Sequence, residues 1–346
     1  MNAFLNACLG QPTPHTPIWL MRQAGRYQPE YRALRKKLSF LELCKTPEVA
    51  TEVTLLAQRQ LNADAAIIFA DILLILEPLG AAFEFTEHAG PCIQQPIRSA
   101  ADIETLSNSI NATESLAFVM QALRLTAKEL PAEVALIGFA GAPFTLASYL
   151  IEGQSSRHYE ATKALMRQDK GVWDLLMGKL VNATIAYLHA QIEAGAQALQ
   201  LFDSWVGCLS PEDYRQYVQP HMRALFQALP AHVPTLHFAT GNTSLYPLMK
   251  AAGGHVIGLD WRVDLDQAWQ QLGYENTAVM GNLDPTLLSA PPETMIAEAT
   301  RILDSANARP GHIFNLGHGV MPSAKPDQVR ALVDFVHRYS AQQRQG

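Results

Sequence analysis

Strands and helices alternate about eight times along this chain, a rhythm that predicts one α/β domain over residues 1–346, a parallel sheet closed into a (β/α)8 barrel of the TIM type. Three observations support that class. Eight short apolar runs are bounded by turn residues, helix-opening signals fall between them, and polar residues collect where the runs end. An open doubly wound sheet is the alternative, but no Gly-x-Gly-x-x-Gly follows any of the runs.

In order, the candidate strands are Ile18–Met21, Ala66–Ala70, Val134–Phe139, Ala198–Phe202, Thr235–Phe238, Val256–Leu259, Thr277–Met280 and His312–Leu316. Thr46-Pro47-Glu48 predicts a helix start, with a hydroxyl cap followed by proline at the first helical position, where its missing N–H costs nothing. Ser210-Pro211-Glu212-Asp213 repeats that arrangement and adds an acid at the capping-box position. Asp284-Pro285 and Lys325-Pro326-Asp327 read as further starts. Between Gly80 and Ser99, Phe83-Glu84-Phe85 and Pro91-Cys92-Ile93 predict a small hairpin inserted after the second strand.

Composition narrows the class of protein. With 48% apolar and 17% charged residues the chain is ordinary globular material. The longest apolar run, Ala63 to Phe85, is broken by Asp64, Asp71, Glu77 and Pro78, so it cannot span a bilayer and no membrane partner is expected. No basic, apolar leader is legible at the N-terminus. Cys8, Cys44, Cys92 and Cys208 lie far apart without a Cys-x-x-Cys, which predicts reduced thiols and a cytoplasmic location. A net charge of −6 without a long basic tract argues against a nucleic-acid partner.

Barrel enzymes place their sites at the carboxyl ends of the strands, and the polar residues here obey that rule. Arg22, Asp71, Gly141-Ala142-Pro143, Asp203-Ser204 and Gly317-His318-Gly319 each follow a candidate strand. Arg22 and Arg26 follow the first, two guanidinium forks suited to bidentate carboxylate recognition. Six of the 26 Lys and Arg fall between positions 22 and 37, against one acid, Glu30, although Arg32 to Lys37 also reads as a solvated helix face. Asp71 stands at the mouth of a dry run, either as a helix cap or as an anion whose ionised form needs a partner. Ser204 has no Gly-x-Ser-x-Gly elbow, which favours hydrogen bonding over nucleophilic attack. Tyr149 reads as core or rim. His318, between two glycines, is either a satisfied loop residue or one free to approach a ligand. No Walker A loop, His-Glu-x-x-His or EF-hand pattern occurs.

Two longer motifs are more specific. Met21 to Arg32, MRQAGRYQPEYR, and Gly138 to Gly153, GFAGAPFTLASYLIEG, resemble the two signatures of the uroporphyrinogen decarboxylase family, and the similarity extends along nearly the whole chain. The resemblance implies a homodimeric barrel that decarboxylates the four acetate side chains of uroporphyrinogen III to give coproporphyrinogen III, on the route to haem and chlorophyll. It implies no cofactor and no metal, because a pyrrole protonated on carbon becomes its own electron sink. By the same resemblance Asp71 is catalytic and binds the pyrrole N–H groups. Arg22 and Arg26 clamp carboxylates, and one of them delivers a proton. Gln23, Ala24 and Gly25 between them contact substrate, as do Tyr149, Ser204 and His318, with Arg35 as a further carboxylate contact. The chain departs from the family pattern at Gln28, Phe144 and Val206, usually Leu, Trp and a small residue. Related zinc-dependent methyltransferases need a His-x-Cys pair. Here that run is His237-Phe238-Ala239, without a thiol. A catalytically silent tetrapyrrole-binding protein remains open, though it would not need Asp71 and the arginines together.

Overall fold

The computed structural model describes residues 2–86, 90–275 and 277–345. Its strands are β1 (Ala65–Ile67), β2 (Phe83–Thr86), β3 (Gly90–Ile93), β4 (Ala135–Gly141), β5 (Ala198–Asp203), β6 (Thr235–Ala239), β7 (Val256–Gly258), β8 (Ala278–Met280) and β9 (His312–Ile313). All strands but β2 and β3 form one curled parallel sheet in the order β1-β4-β5-β6-β7-β8-β9. The expected hairpin is present, with Phe83 opposite Ile93 and Thr86 opposite Gly90. Each parallel pair is joined by a helical crossover, as a parallel ladder requires.

The sheet has seven strands where eight were expected. Ile18–Met21 does occupy the first position, since Ile18 bridges Phe314 in parallel and the Ile18 carbonyl accepts from the Asp64 N–H at 2.9 Å. Side chains, however, take the place of a ladder. The N–H of Ile18 donates to Asp64 Oδ2 at 2.7 Å, that of Leu20 to Gln23 Oε1 at 3.1 Å and that of Met21 to Asn315 Oδ1 at 3.1 Å. Buried amides must be paired somewhere, and here the partners are carboxylate and amide groups that alternation of apolar residues does not reveal. The last strand is cut short for the same reason, because Asn315 turns its side chain onto Met21 and onto its own neighbour Leu316.

Inward-facing residues fill the lumen. Trp19, Ile137, Leu236 and Ile313 are fully buried in one cluster, which the N-terminal helix Ala3–Cys8 plugs with Phe4, Ala7 and Cys8. A second, larger cluster packs the outer helices on the sheet.

Helix starts were legible to different degrees. Helix Pro211–Tyr217 is capped by Ser210, whose Oγ accepts from the Asp213 N–H at 3.1 Å. Helix Pro326–Gln343 begins where expected. Helix Pro47–Leu61 also begins at its proline, but the Thr46 hydroxyl makes no cap bond. Asp284 opens only the 3-10 turn Pro285–Ser289, accepting from the Thr286 N–H at 2.9 Å. The α-helix itself starts at Pro292, because Pro291 keeps Ala290 extended.

Candidate active site

The two arginines follow the first strand through a tight turn. Gln23 N–H donates to the Leu20 carbonyl at 2.9 Å, and Arg22, the third residue of this turn, has a φ of +62°. That position normally favours glycine. An arginine held there is a strained choice, costing about 1–3 kcal/mol, of a kind found where a side chain must be aimed.

Close packing of the chain's last βα loop onto Arg22 supplies the constraint. The Val320 N–H donates to the Met21 carbonyl at 2.8 Å, laying Gly317-His318-Gly319 across the turn. A Cβ on Gly319 would lie 2.5 Å from Arg22 Cδ, and one on Gly317 would lie 2.0 Å from the Trp261 backbone nitrogen. Only glycine allows these approaches, so the NLGHGV run is shaped by its neighbours and not by its own turn.

Gln23, Ala24 and Gly25 build the loop that presents the arginines. Gln23 is 1% exposed, and its Nε2 donates to the Ala65 carbonyl at 3.1 Å while its Oε1 holds Leu20. Ala24 packs on the Tyr31, Leu43 and Val53 cluster. The Gly25 N–H is taken by Gln28 Oε1 at 3.0 Å, and Gln28 is anchored to Gln60 at 2.8 Å, which gives the unusual Gln28 a structural purpose. Arg32, from the basic helix Pro29–Arg35, braces the same loop through the carbonyls of Arg26 and Tyr27, both at 2.9 Å. Arg35 lies farther along that helix. Its Nη1 donates to the Leu38 carbonyl at 2.6 Å and its guanidinium stands 6.0 Å from the Phe40 ring centre.

Asp71 follows β1 by four residues and is half-buried. Its Oδ1 caps the turn after it, accepting from the Leu73 N–H at 2.8 Å. Burial pushes its carboxyl up to about 6, held back by that hydrogen bond and by the Arg22 charge. Arg22 is itself shifted down, first by burial and then by Arg26, with Tyr149 and Asp71 opposing. Arg22 is exposed and Asp71 half-buried, so water reaches both.

Tyr149 projects from helix Pro143–Glu152, one turn beyond Thr145. Burial, then the Asp71 charge, push its phenol up to about 12, which leaves it a neutral donor. Its ring meets Trp205 edge-on at 5.8 Å. The Thr145 hydroxyl donates to Asp203 Oδ1 at 3.0 Å and accepts from the Trp205 N–H at 3.3 Å, fixing the loop that holds half-buried Ser204. His318 completes the cleft. Burial, then Arg22, lower its pKa, and its Nδ1 accepts from the Gly319 N–H at 2.8 Å, which leaves the proton on Nε2.

Arg22, Asp71, Tyr149 and His318 are thus brought within electrostatic reach of one another, with Arg26 beside Arg22. Arg35 stands beside Tyr31, on which the Arg26 charge also acts. A rim that sequence reasoning missed faces His318. Asp260 Oδ2 accepts from the Gly241 N–H at 2.9 Å and from Arg262 Nη1 at 2.6 Å, and the Arg262 guanidinium stacks 4.4 Å from the Trp261 ring centre. The signal was available, since Asp260 directly follows the predicted strand Val256–Leu259. At the position where a thiolate pair would be needed, His237 is fully buried between Asp203, at 3.4 Å, and Phe226.

Comparison with known proteins gives the family and the fold. The family model described as Uroporphyrinogen decarboxylase (URO-D) matches residues 1–339. The uroporphyrinogen decarboxylase of Sorangium cellulosum is 54% identical over 335 residues, covering 96% of this chain and 95% of that protein. That of Carboxydothermus hydrogenoformans is 51% identical over 341 residues, covering 98% and 97%. Among solved structures, a methyltransferase from Methanosarcina mazei superposes with a TM-score of 0.80 over 97% of this chain and 98% of its own, at 20% identity, and so shares the fold. With half of its residues identical across nearly full length and the family model spanning almost all of it, the chain belongs to the uroporphyrinogen decarboxylase family.

Proposed function

We propose that this cleft is where the chain, a carboxy-lyase of tetrapyrrole biosynthesis, converts the four acetate side chains of uroporphyrinogen III to methyl groups, giving coproporphyrinogen III. The observation that supports it most is the Asp71 carboxylate held in the field of the Arg22 guanidinium, with Arg26 beside Arg22. That set suits a substrate with anionic arms and a centre that becomes cationic.

A proton added to a pyrrole carbon makes the ring an iminium-like cation. The neighbouring acetate loses carbon dioxide, its bonding electrons neutralise that cation, the methylene carbon left behind takes a proton to become methyl, and the ring carbon gives up the proton it first received to restore the pyrrole, so each turnover consumes one proton. Asp71 offers a negative charge to the pyrrole N–H groups and gains most once the ring is cationic. Arg22 and Arg26 hold carboxylates, and one of them passes the proton. Neutral Tyr149, Ser204 and His318 hydrogen-bond the macrocycle, and Arg35 meets an outlying carboxylate. The substrate supplies its own electron sink, so the chemistry asks for no cofactor. The enzyme works as one domain, and the family resemblance supports a cytoplasmic homodimer, checked by sedimentation for about twice the 38.0 kDa chain mass. No helix among the described residues is long and apolar enough to cross a membrane.

The deciding experiment follows uroporphyrinogen, under anaerobic reducing conditions, through hepta- to tetracarboxylate products. Turnover is expected to survive chelation unchanged. Binding without any loss of carbon dioxide would leave a silent tetrapyrrole-binding protein, and activity regained only with zinc would favour a methyltransferase.

Arg26→Lys is expected to lower kcat/KM about thirtyfold, because replacing a bidentate fork by a point charge loses on the order of 2 kcal/mol. Exposed Lys37→Ala is expected to change it little. Equal losses in the two variants would mean that only diffuse attraction is at work. Rising ionic strength should in either case slow capture of the anionic substrate.

A further inference from the structure

At the opposite end of the barrel from the arginines, we propose, His15, Asp64 and His337 form a binding site for one divalent transition-metal ion, zinc being the best fit. Asp64 opens β1 at its amino end, whereas Asp71 lies beyond the carboxyl end of the same strand. The two sites are therefore separate, on the order of 20 Å apart along a strand-like path of seven residues.

The donor set comes from three parts of the chain. His15 precedes the first strand, Asp64 stands at the sheet, and His337 projects from helix Pro326–Gln343. His15 Nε2 lies 2.8 Å from Asp64 Oδ1 and His337 Nε2 lies 2.7 Å from Asp64 Oδ2, with the two imidazole centres 4.6 Å apart. All three donor atoms fall within 4.8 Å of one another, the only such group among the described residues. A tetrahedral zinc with bonds of about 2.0–2.1 Å needs donors about 3.3 Å apart. The donor atoms, spread over up to 4.8 Å, would draw together on the ion while the short His–Asp contacts widen by about half an ångström, with water as the fourth ligand.

Three further features suit a cation. Asp64 presents both carboxylate oxygens to the imidazoles, Oδ1 to His15 and Oδ2 to His337. Its Oδ2 also accepts from the Ile18 N–H at 2.7 Å, an outer bond of the kind that orients ligating carboxylates. The side chains of His15, His337 and Asp64 are 24%, 22% and 11% exposed, open enough for a hydrated ion to enter. Binding requires only that each neutral imidazole carry its proton on Nδ1, freeing Nε2. The ion would then tie the N-terminal segment and the C-terminal helix to the barrel, adding stability without touching the decarboxylation.

The test uses full-length protein stripped with chelator and titrated with zinc sulfate. One zinc per chain is expected, and about 100-fold above Kd the Tm should rise by about 4 °C. Cobalt(II) in its place should show the visible bands of a four-coordinate ion. In His337→Gln the amide still donates to Asp64, so the metal-free Tm should stay near that of the parent while the zinc response and cobalt bands are lost. No zinc-dependent shift in the parent, or an undiminished shift in His337→Gln, would overturn the site and show the trio to be a hydrogen-bonded clamp. Turnover should be the same with and without zinc, so loss of the metal site would leave the decarboxylase reading intact.

Discussion

Asp71→Asn is expected to fold normally and to lose about 10² to 10³·⁵-fold in kcat with little change in KM. Asn matches the volume of Asp and can still accept from the Leu73 N–H, so the turn that Asp71 caps should survive. What disappears is the negative charge beside a pyrrole that becomes cationic. A charge left uncompensated in a desolvated site costs roughly 3–5 kcal/mol, which sets the size of the loss. A loss confined to kcat marks an interaction made mainly in the transition state. The pH profile provides a second check. With its carboxyl raised to about 6, Asp71 is ionised above that pH and neutral below it, so kcat/KM should fall as pH drops through about 6, and the Asn variant should lack this limb. Near-normal turnover by Asp71→Asn would reduce Asp71 to a helix cap.

Arg22→Lys is expected to lower kcat/KM on the order of 10²-fold, more than Arg26→Lys, because Arg22 is the arginine that burial and close packing hold beside Asp71. Two charge-assisted hydrogen bonds of about 1.5 kcal/mol each account for that size. Gly319→Ala should reproduce much of the defect without touching the charge. Gly319 does not have the positive φ that resists a side chain, so its new methyl conflicts only with Arg22, whose flexible stem can move aside. Stability should therefore change little while the guanidinium is displaced. In a double-mutant cycle the two losses should be strongly less than additive, since the second substitution disturbs a group already gone. Fully additive losses would separate Gly319 from Arg22 and leave the glycine without a part in aiming the guanidinium.

How much of this could be read beforehand depended on what kind of signal each element gives. Buried strands such as β4 and β5 were legible because they are continuous apolar runs bounded by turns, whereas the first segment fills its place in the barrel with pairing that runs largely through Asp64, Gln23 and Asn315. The same blindness hid the part Gln23 plays as a buried bracket for the barrel seam. Thr46 and Asp284 show the limit of local rules, since a cap-forming side chain followed by proline marks where a helix can start and not whether the hydroxyl bonds or an α-helix follows. Asp260 was missed although it sits where the strand-end rule would have found it.

The sequence alone determined the barrel, the family and the list of polar residues at its carboxyl end, because apolar periodicity and strand ends are local properties of a chain. Only the tertiary structure decided which of those residues share one cleft, that Arg22 is held by Gly319 from the far end of the chain, and that His15, Asp64 and His337 meet at all. Gly319 is 297 positions from Arg22 and His337 is 273 from Asp64, and the geometry of both contacts is set by closure of the barrel, which no local pattern encodes.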